Sequence, residues 1–291
     1  MPEALPSTKL DAISFDKFLR KQAPLRSDAP VFDLRGVTLI TPAVLVQLAA
    51  WSYALARDGP QALIETDNES VRTYLMRSGF VKVVSGVAKI QPELAGLSSL
   101  RYEFMRGSNP MLIEVTRIQS GKALPALLDQ FVWVLRYRLK YPKYDAFDVT
   151  TAVSEMCQNT FDHNSGTAGF VAMQVYGKGP KRFLEIGVSD YGTGLAATLR
   201  RNPKNGTVGS DLVAIQLATK LGTSEHDDPT RGTGLYHLLE ITYKHAGAIQ
   251  IKSGNAKVYY RMDRRQGYAF AVPPAPGVHV ALSLPSKDRA A

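Results

Sequence analysis

The sequence predicts an α/β protein of two units, on three observations. Before about residue 105, short apolar runs alternate with helical patterns. After it, two neighbouring strand patterns are flanked by amphipathic helices, and glycine-bearing motifs fall where a strand ends and where a helix begins. With 291 residues, 45% of them hydrophobic and 21% charged, the chain is long enough for two ordered domains, expected at 1–105 and 106–291.

The first unit reads in order. Residues 31–34 form an apolar run of strand type, and a helix follows Thr41 and Pro42 with Leu45, Leu48, Ser52 and Leu55 along one face. Thr41 is expected to cap that helix and Pro42 to occupy its first position, where a missing N–H costs nothing. Residues 62–65 give a second strand and residues 70–78 a second helix, stopped by Gly79. Residues 36–56 carry no charge, which is long enough to span a bilayer. Thr38, Thr41, Gln47 and Ser52 dilute the stretch and Pro42 divides it, so it is read as a strand and a helix instead.

Residues 86–125 are poorly patterned, and a helical face resumes with Leu128, Phe131, Val132, Leu135 and Leu139. From 147 to 163 the spacing of Val149, Val153, Met156 and Thr160 predicts a helix whose buried stripe they form. Glu155, Asn159 and His163 recur at strict fours, a quarter-turn away, so a carboxylate, an amide and an imidazole would edge a pocket above the core. Alone, that pattern is equally a solvated polar face.

Strands are expected at 170–176 and 183–189, and the second runs into Asp190, Gly192 and Gly194. A carboxylate accepts hydrogen bonds and would take the amino group of adenine while repelling the carbonyl of guanine. The glycines would let backbone approach a ligand closely. Further on, Arg231, Gly232, Thr233, Gly234 and Leu235 open a helix that ends before Gly247. The free N–H groups of a helix start, reached through glycines, suit phosphate.

These three motifs, in this order, resemble those of the GHKL ATPases, the superfamily of histidine kinases, anti-sigma kinases and gyrase. Glu155 and Asn159 look like the N-box, Asp190, Gly192 and Gly194 like the first glycine box, and Gly232 and Gly234 like the second. The runs beginning at Ala246 and Gly277 are similar to the strands that close that fold. The resemblance implies a two-layer α/β sandwich, the Bergerat ATP-binding fold, with ATP and Mg²⁺ as cofactors. It implies that Asn159 ligates magnesium, that Asp190 reads adenine, and that residues 196–231 form a lid over the phosphates; Arg231 and Thr233 are the candidates for phosphate contact. Glu155 becomes the candidate general base. His163 either touches phosphate or packs.

Residues 10–90 resemble a STAS domain, the small α/β module of anti-sigma-factor antagonists, on residues 31–45. The phosphorylated serine of that family would fall on Ala43, which has no hydroxyl, so phosphorylation there is excluded.

No histidine precedes His163, which argues against autophosphorylation on an upstream helix and leaves a histidine kinase only with a separate acceptor. The expected function is therefore a Mg-ATP-binding regulatory protein, a signalling serine/threonine kinase or anti-sigma-type regulator acting on a protein partner such as a sigma factor or STAS-type regulator. The alternative is an ATP-dependent binding switch without catalysis. A nucleic-acid-binding ATPase is a weaker reading: residues 106–291 hold 23 Lys and Arg against 15 Asp and Glu, but no aromatic-interleaved basic stripe accompanies them. Cys157 stands alone and no secretory signal pattern opens the chain, so a reducing cytoplasm is expected, with no membrane partner; a homodimer is compatible with the reading.

Overall fold

The computed structural model describes residues 8–21, 30–93, 112–162, 167–220, 234–261 and 266–288. The first part carries β1 (Thr8–Leu10), α1 (Phe15–Lys21), β2 (Val31–Asp33), β3 (Val37–Ile40), α2 (Pro42–Asp58), β4 (Ala62–Glu65), α3 (Glu69–Arg77), α4 (Phe80–Val84) and β5 (Ala88–Gln91). Strands β2, β4 and β5 form a parallel sheet in the order β2-β4-β5, and β1 pairs with β3 in a separate parallel ribbon. The α3 start is fixed by Asn68, whose side chain accepts the N–H groups of Ser70 and Val71, and its stop by Gly79 at a φ of 74°.

The second part carries β6 (Leu112–Ile118), α5 (Leu124–Trp133), α6 (Lys143–Asp162), β7 (Gly169–Tyr176), β8 (Phe183–Asp190), α7 (Gly194–Leu199), α8 (Asp211–Ala218), α9 (Gly234–Lys244), β9 (Ala248–Arg261) and β10 (Gln266–Pro285). Its five strands make one antiparallel sheet in the order β6-β7-β8-β10-β9. The expected boundary near residue 105 lies outside the described residues.

Alternation along β7 and β8 sends side chains to two faces, and both are covered. On one face Val171, Met173, Ile186 and Val188 meet Phe131 of α5, Val149, Val153 and Met156 of α6, and Leu238 and Ile241 of α9. On the other, Phe170 and Ala172 join a core with Val44, Leu45 and Leu48 of α2. Helix α2 is therefore a layer shared by the two parts. Residues 42–50 are buried at every position, which explains the central part of the uncharged stretch: this half of α2, enclosed on all sides, has no face on which a charge could be hydrated. Among the described residues, no helix is long and apolar enough to cross a membrane.

Two local expectations need correction. Thr41 occupies the position before α2, but its side chain makes no capping hydrogen bond. Instead the β8 residue Glu185 points its carboxylate at the Ala43 N–H, 3.4 Å away, so the sheet supplies the anion that the helix start favours. Burial pushes the Glu185 carboxyl up, against the hydrogen bonds that stabilise its charge. The patternless span 86–125 contains β5 and β6, and β6 pairs with β7 at the edge of the large sheet.

Candidate functional site

Helix α6 presents the stripe expected of it: Val149, Val153, Met156 and Thr160 are all buried, and Glu155 and Asn159 lie half-buried at its margin. Against that margin α9 begins. A β-carbon on Gly234 would stand 2.9 Å from Asn159 Nδ2, 3.5 Å from Glu155 Cβ and 3.7 Å from Glu155 Oε2, so a residue without a side chain is what lets the helix start lie on the pair. Leu235, next in the chain, packs between the main core and the small core beneath α7 and α8.

One residue beyond Asn159, Thr160 fills the space that a side chain at Gly169 would need, and its hydroxyl donates to the Cys157 carbonyl at 2.7 Å. Gly169 is the register partner of Asp190 on the neighbouring strand. The end of α6 and the end of β8 are thus joined across a single strand, about 4.8 Å wide. Asp190 is 4% exposed, and its Oδ1 accepts the Gly192 N–H at 2.8 Å.

Two residues that the sequence did not single out as site residues complete this corner. Gly277, at a φ of +69°, lies so close to Asp190 that any β-carbon would collide with its carboxylate and carbonyl. Ser253 Oγ accepts the Leu195 N–H at 2.9 Å and lies 2.9 Å from where a β-carbon on Gly194 would stand. Gly194 itself has a φ of +80°, a conformation that side chains resist. The glycine before a closing strand was a visible signal for Gly277; Ser253, from a strand 58 residues away, had none.

His237, one turn into α9, is a further residue the sequence did not single out. Its Nε2 lies 3.1 Å from Asp148 Oδ1 and its Nδ1 3.6 Å from Glu155 Oε2, linking two carboxylates of α6. Lys244 reaches Asp145 at 2.8 Å and Asp148 at 3.0 Å. Burial opposes ionisation of Asp148, yet hydrogen bonds from Lys244 and His237 outweigh it and hold the carboxyl below the ordinary carboxylate range. Glu155 Oε2 is buried with no hydrogen-bond partner among the described residues.

His163, Arg231, Gly232 and Thr233 lie outside the described residues, as do residues 221–231 of the expected lid. The earlier part of that lid is not a loose loop. Ala196, Leu199, Val208, Ala214 and Ala218 form their own core, and Ser210 caps α8 by accepting the Val213 N–H at 3.2 Å. Asp211 accepts the Asn255 N–H at 2.9 Å, fastening α8 to β9. Among the described residues, no group of three or more His, Cys, Asp and Glu side chains could hold a metal ion; Asn159 is the candidate ligand that remains.

Glu155, Asn159 and Gly234 are therefore in mutual contact, Asp190, Gly192 and Gly194 share a second corner, and Thr160 and Gly169 connect the two. No protein-family model matches this chain, and no curated protein matches its sequence.

Proposed function

We propose that this chain is a Mg-ATP-binding regulatory protein of the histidine kinase-like ATPase superfamily, built on a Bergerat-type domain with a STAS-like unit fused before it, and that it phosphorylates serine or threonine on a protein partner. The observation that carries the reading is the seating of Gly234 on Glu155 and Asn159: residues 75 or more positions apart meet where an added β-carbon would displace the Asn159 amide.

The donor set suits the nucleotide. Asn159 offers an amide oxygen, a hard ligand of the kind magnesium accepts as a single protein contact alongside phosphates and water. When bound, magnesium would offset the phosphate charge. The glycine-led start of α9 would face phosphate with backbone N–H groups, and Asp190, oriented by the Gly192 N–H, would accept from the adenine amino group. Glu155, its Oε2 without a hydrogen-bond donor, would take the proton of an attacking hydroxyl. The partner is a protein such as a sigma factor or STAS-type regulator. The chain's own STAS-like unit is a poor substrate, because Ala43 is 1% exposed and has no hydroxyl.

A second reading, an ATP-dependent binding switch without transfer, is favoured by His237. An imidazole 3.6 Å from Glu155 Oε2 can hold that carboxylate in place rather than leave it to a substrate. Calorimetry with Mg-ATP tests the shared premise, and absence of uptake by folded protein overturns both readings. Radiolabel transfer to proteins that co-purify in ATP separates them: transfer by the wild type, lost in Glu155→Gln with ATP affinity kept, marks the kinase.

A further inference from the structure

Away from the candidate nucleotide site, a cavity of about 170 Å³ opens between β3 and α3 of the first part and the far end of β7 in the second. Thr38, Ser70, Tyr74, Arg77, Gln174 and Tyr176 supply its polar lining. Four polar atoms of that lining, Tyr74 Oη, Arg77 Nε, Gln174 Oε1 and Tyr176 Oη, are buried; the two phenols pair with each other, and Arg77 Nε and Gln174 Oε1 have no hydrogen-bond partner among the described residues. An unsatisfied buried polar group is costly and native proteins keep few of them, so a donor and an acceptor left unpaired around one cavity call for a common partner.

Their chemistry specifies it. Arg77, its guanidinium carbon 5.8 Å from the centre of the Tyr74 ring, presents a planar cationic fork suited to carboxylate. Burial pushes both phenols up, so at neutral pH they remain O–H groups; one donates to the other, and the second hydroxyl is left to donate to the same anion. Gln174 Oε1 can only accept, so the occupant must also bring an N–H or O–H. Glu185, register partner of Gln174, acts electrostatically on both tyrosines and would repel a dianion more than a monoanion. The volume lies below the roughly 300–1,000 Å³ of drug-sized pockets, which rules out a nucleotide.

We propose that this cavity binds a small monocarboxylate carrying an adjacent hydroxyl or amino donor, an α-hydroxy or α-amino acid of a few carbons. The site bridges the two parts of the molecule and stands at the opposite end of β7 from Gly169, roughly 20 Å along the strand. It does not depend on the nucleotide reading.

The test is thermal unfolding of the full chain, followed by calorimetry, with L-lactate, glycine and L-serine at about 10 mM each, against sodium chloride and inorganic phosphate at matched ionic strength. At least one carboxylate is expected to raise Tm by about 2 °C or more, with phosphate matching the chloride control. Tyr176→Phe, which removes one oxygen and keeps the ring, and Arg77→Gln are each expected to weaken that carboxylate at least about tenfold. The proposal is overturned if none of the three carboxylates exceeds the chloride control, if phosphate stabilises as well as they do, or if Tyr176→Phe binds unchanged. A Tyr176→Phe protein that is more stable than wild type, with no ligand response in either, would mean a cavity occupied by water alone and would also overturn it. Should Arg77→Gln fail to fold, the Tyr176→Phe comparison decides.

Discussion

Ala43 of α2 and Gly187 of β8 touch backbone to backbone: a β-carbon on Gly187 would stand 2.5 Å from Ala43 Cα and 2.9 Å from its nitrogen. The contact joins the first part of the chain to the middle of the large sheet, between Glu185 and Ser189 on the face that α2 covers. Gly187→Ala is expected to destabilise the protein by about 1–3 kcal/mol, seen as a lower denaturant midpoint, because the added methyl meets main chain that cannot rotate away. Ala43→Gly should give no rescue, since the obstructing atoms are not those of its side chain; recovery in the double variant would contradict the contact.

Gly234→Ala makes the opposite kind of change. Its nearest obstruction, Asn159 Nδ2 at 2.9 Å, is the end of a side chain that can move. Stability is expected to change by less than about 1 kcal/mol, while Mg-ATP affinity falls about tenfold or more because Asn159 is displaced. Calorimetry beside thermal unfolding checks both halves; unaltered affinity would detach Gly234 from the nucleotide site.

Asp16 of α1 holds Lys252 and Lys257 of β9, each at 2.5 Å, and all three side chains are buried. Burial works against the Asp16 charge, but the two ammonium groups outweigh it and hold the carboxyl below its ordinary value. Asp16→Ala would leave two buried cations without their anion and is expected to cost about 3–5 kcal/mol. Combining Asp16→Leu with Lys252→Met and Lys257→Met should recover most of that loss, measured by urea unfolding.

Two histidines set an acid limit. Burial lowers His245 from 6.5 to about 4, with Lys287 adding to the effect, and lowers His279 from 6.5 to about 3, with Lys252 adding to it. Below pH 6.5 the unfolded chain therefore binds protons that the folded one refuses, so stability is complete above that value and drains as pH falls towards 4. Tm should decline over this window, and His245→Phe, whose ring can keep the 5.0 Å contact with Tyr141, should flatten the decline. An equal slope in wild type and variant would count against the buried neutral ring.

Local periodicity made much of this architecture readable. The apolar spacing in α6, the strand-type runs of β7 and β8 and the glycine stop after α3 are each encoded within a dozen residues. The meeting of Gly234 with Asn159 is not encoded locally: the two lie on different helices, and only the resemblance led one to expect them together. Other features were hidden because their causes are distant in sequence. Asp16 finds its lysines 236 and 241 residues away, and no pattern near α1 announces them. Thr41 looked like a helix cap because capping is local, whereas the competing anion, Glu185, arrives from another sheet. Nothing beside His237 in the sequence marks it; its two carboxylates become visible once α6 and α9 are adjacent.

The all-round enclosure of the first half of α2 bears on how this chain could be taken apart. A fragment beginning after residue 105 would leave Phe170, Ala172 and Gly187 facing water along one side of the sheet, and the excised first part would bare Val44, Leu45 and Leu48. Neither half is a portable cassette for grafting onto another carrier: the smallest piece that can be transplanted with a dry interior carries both.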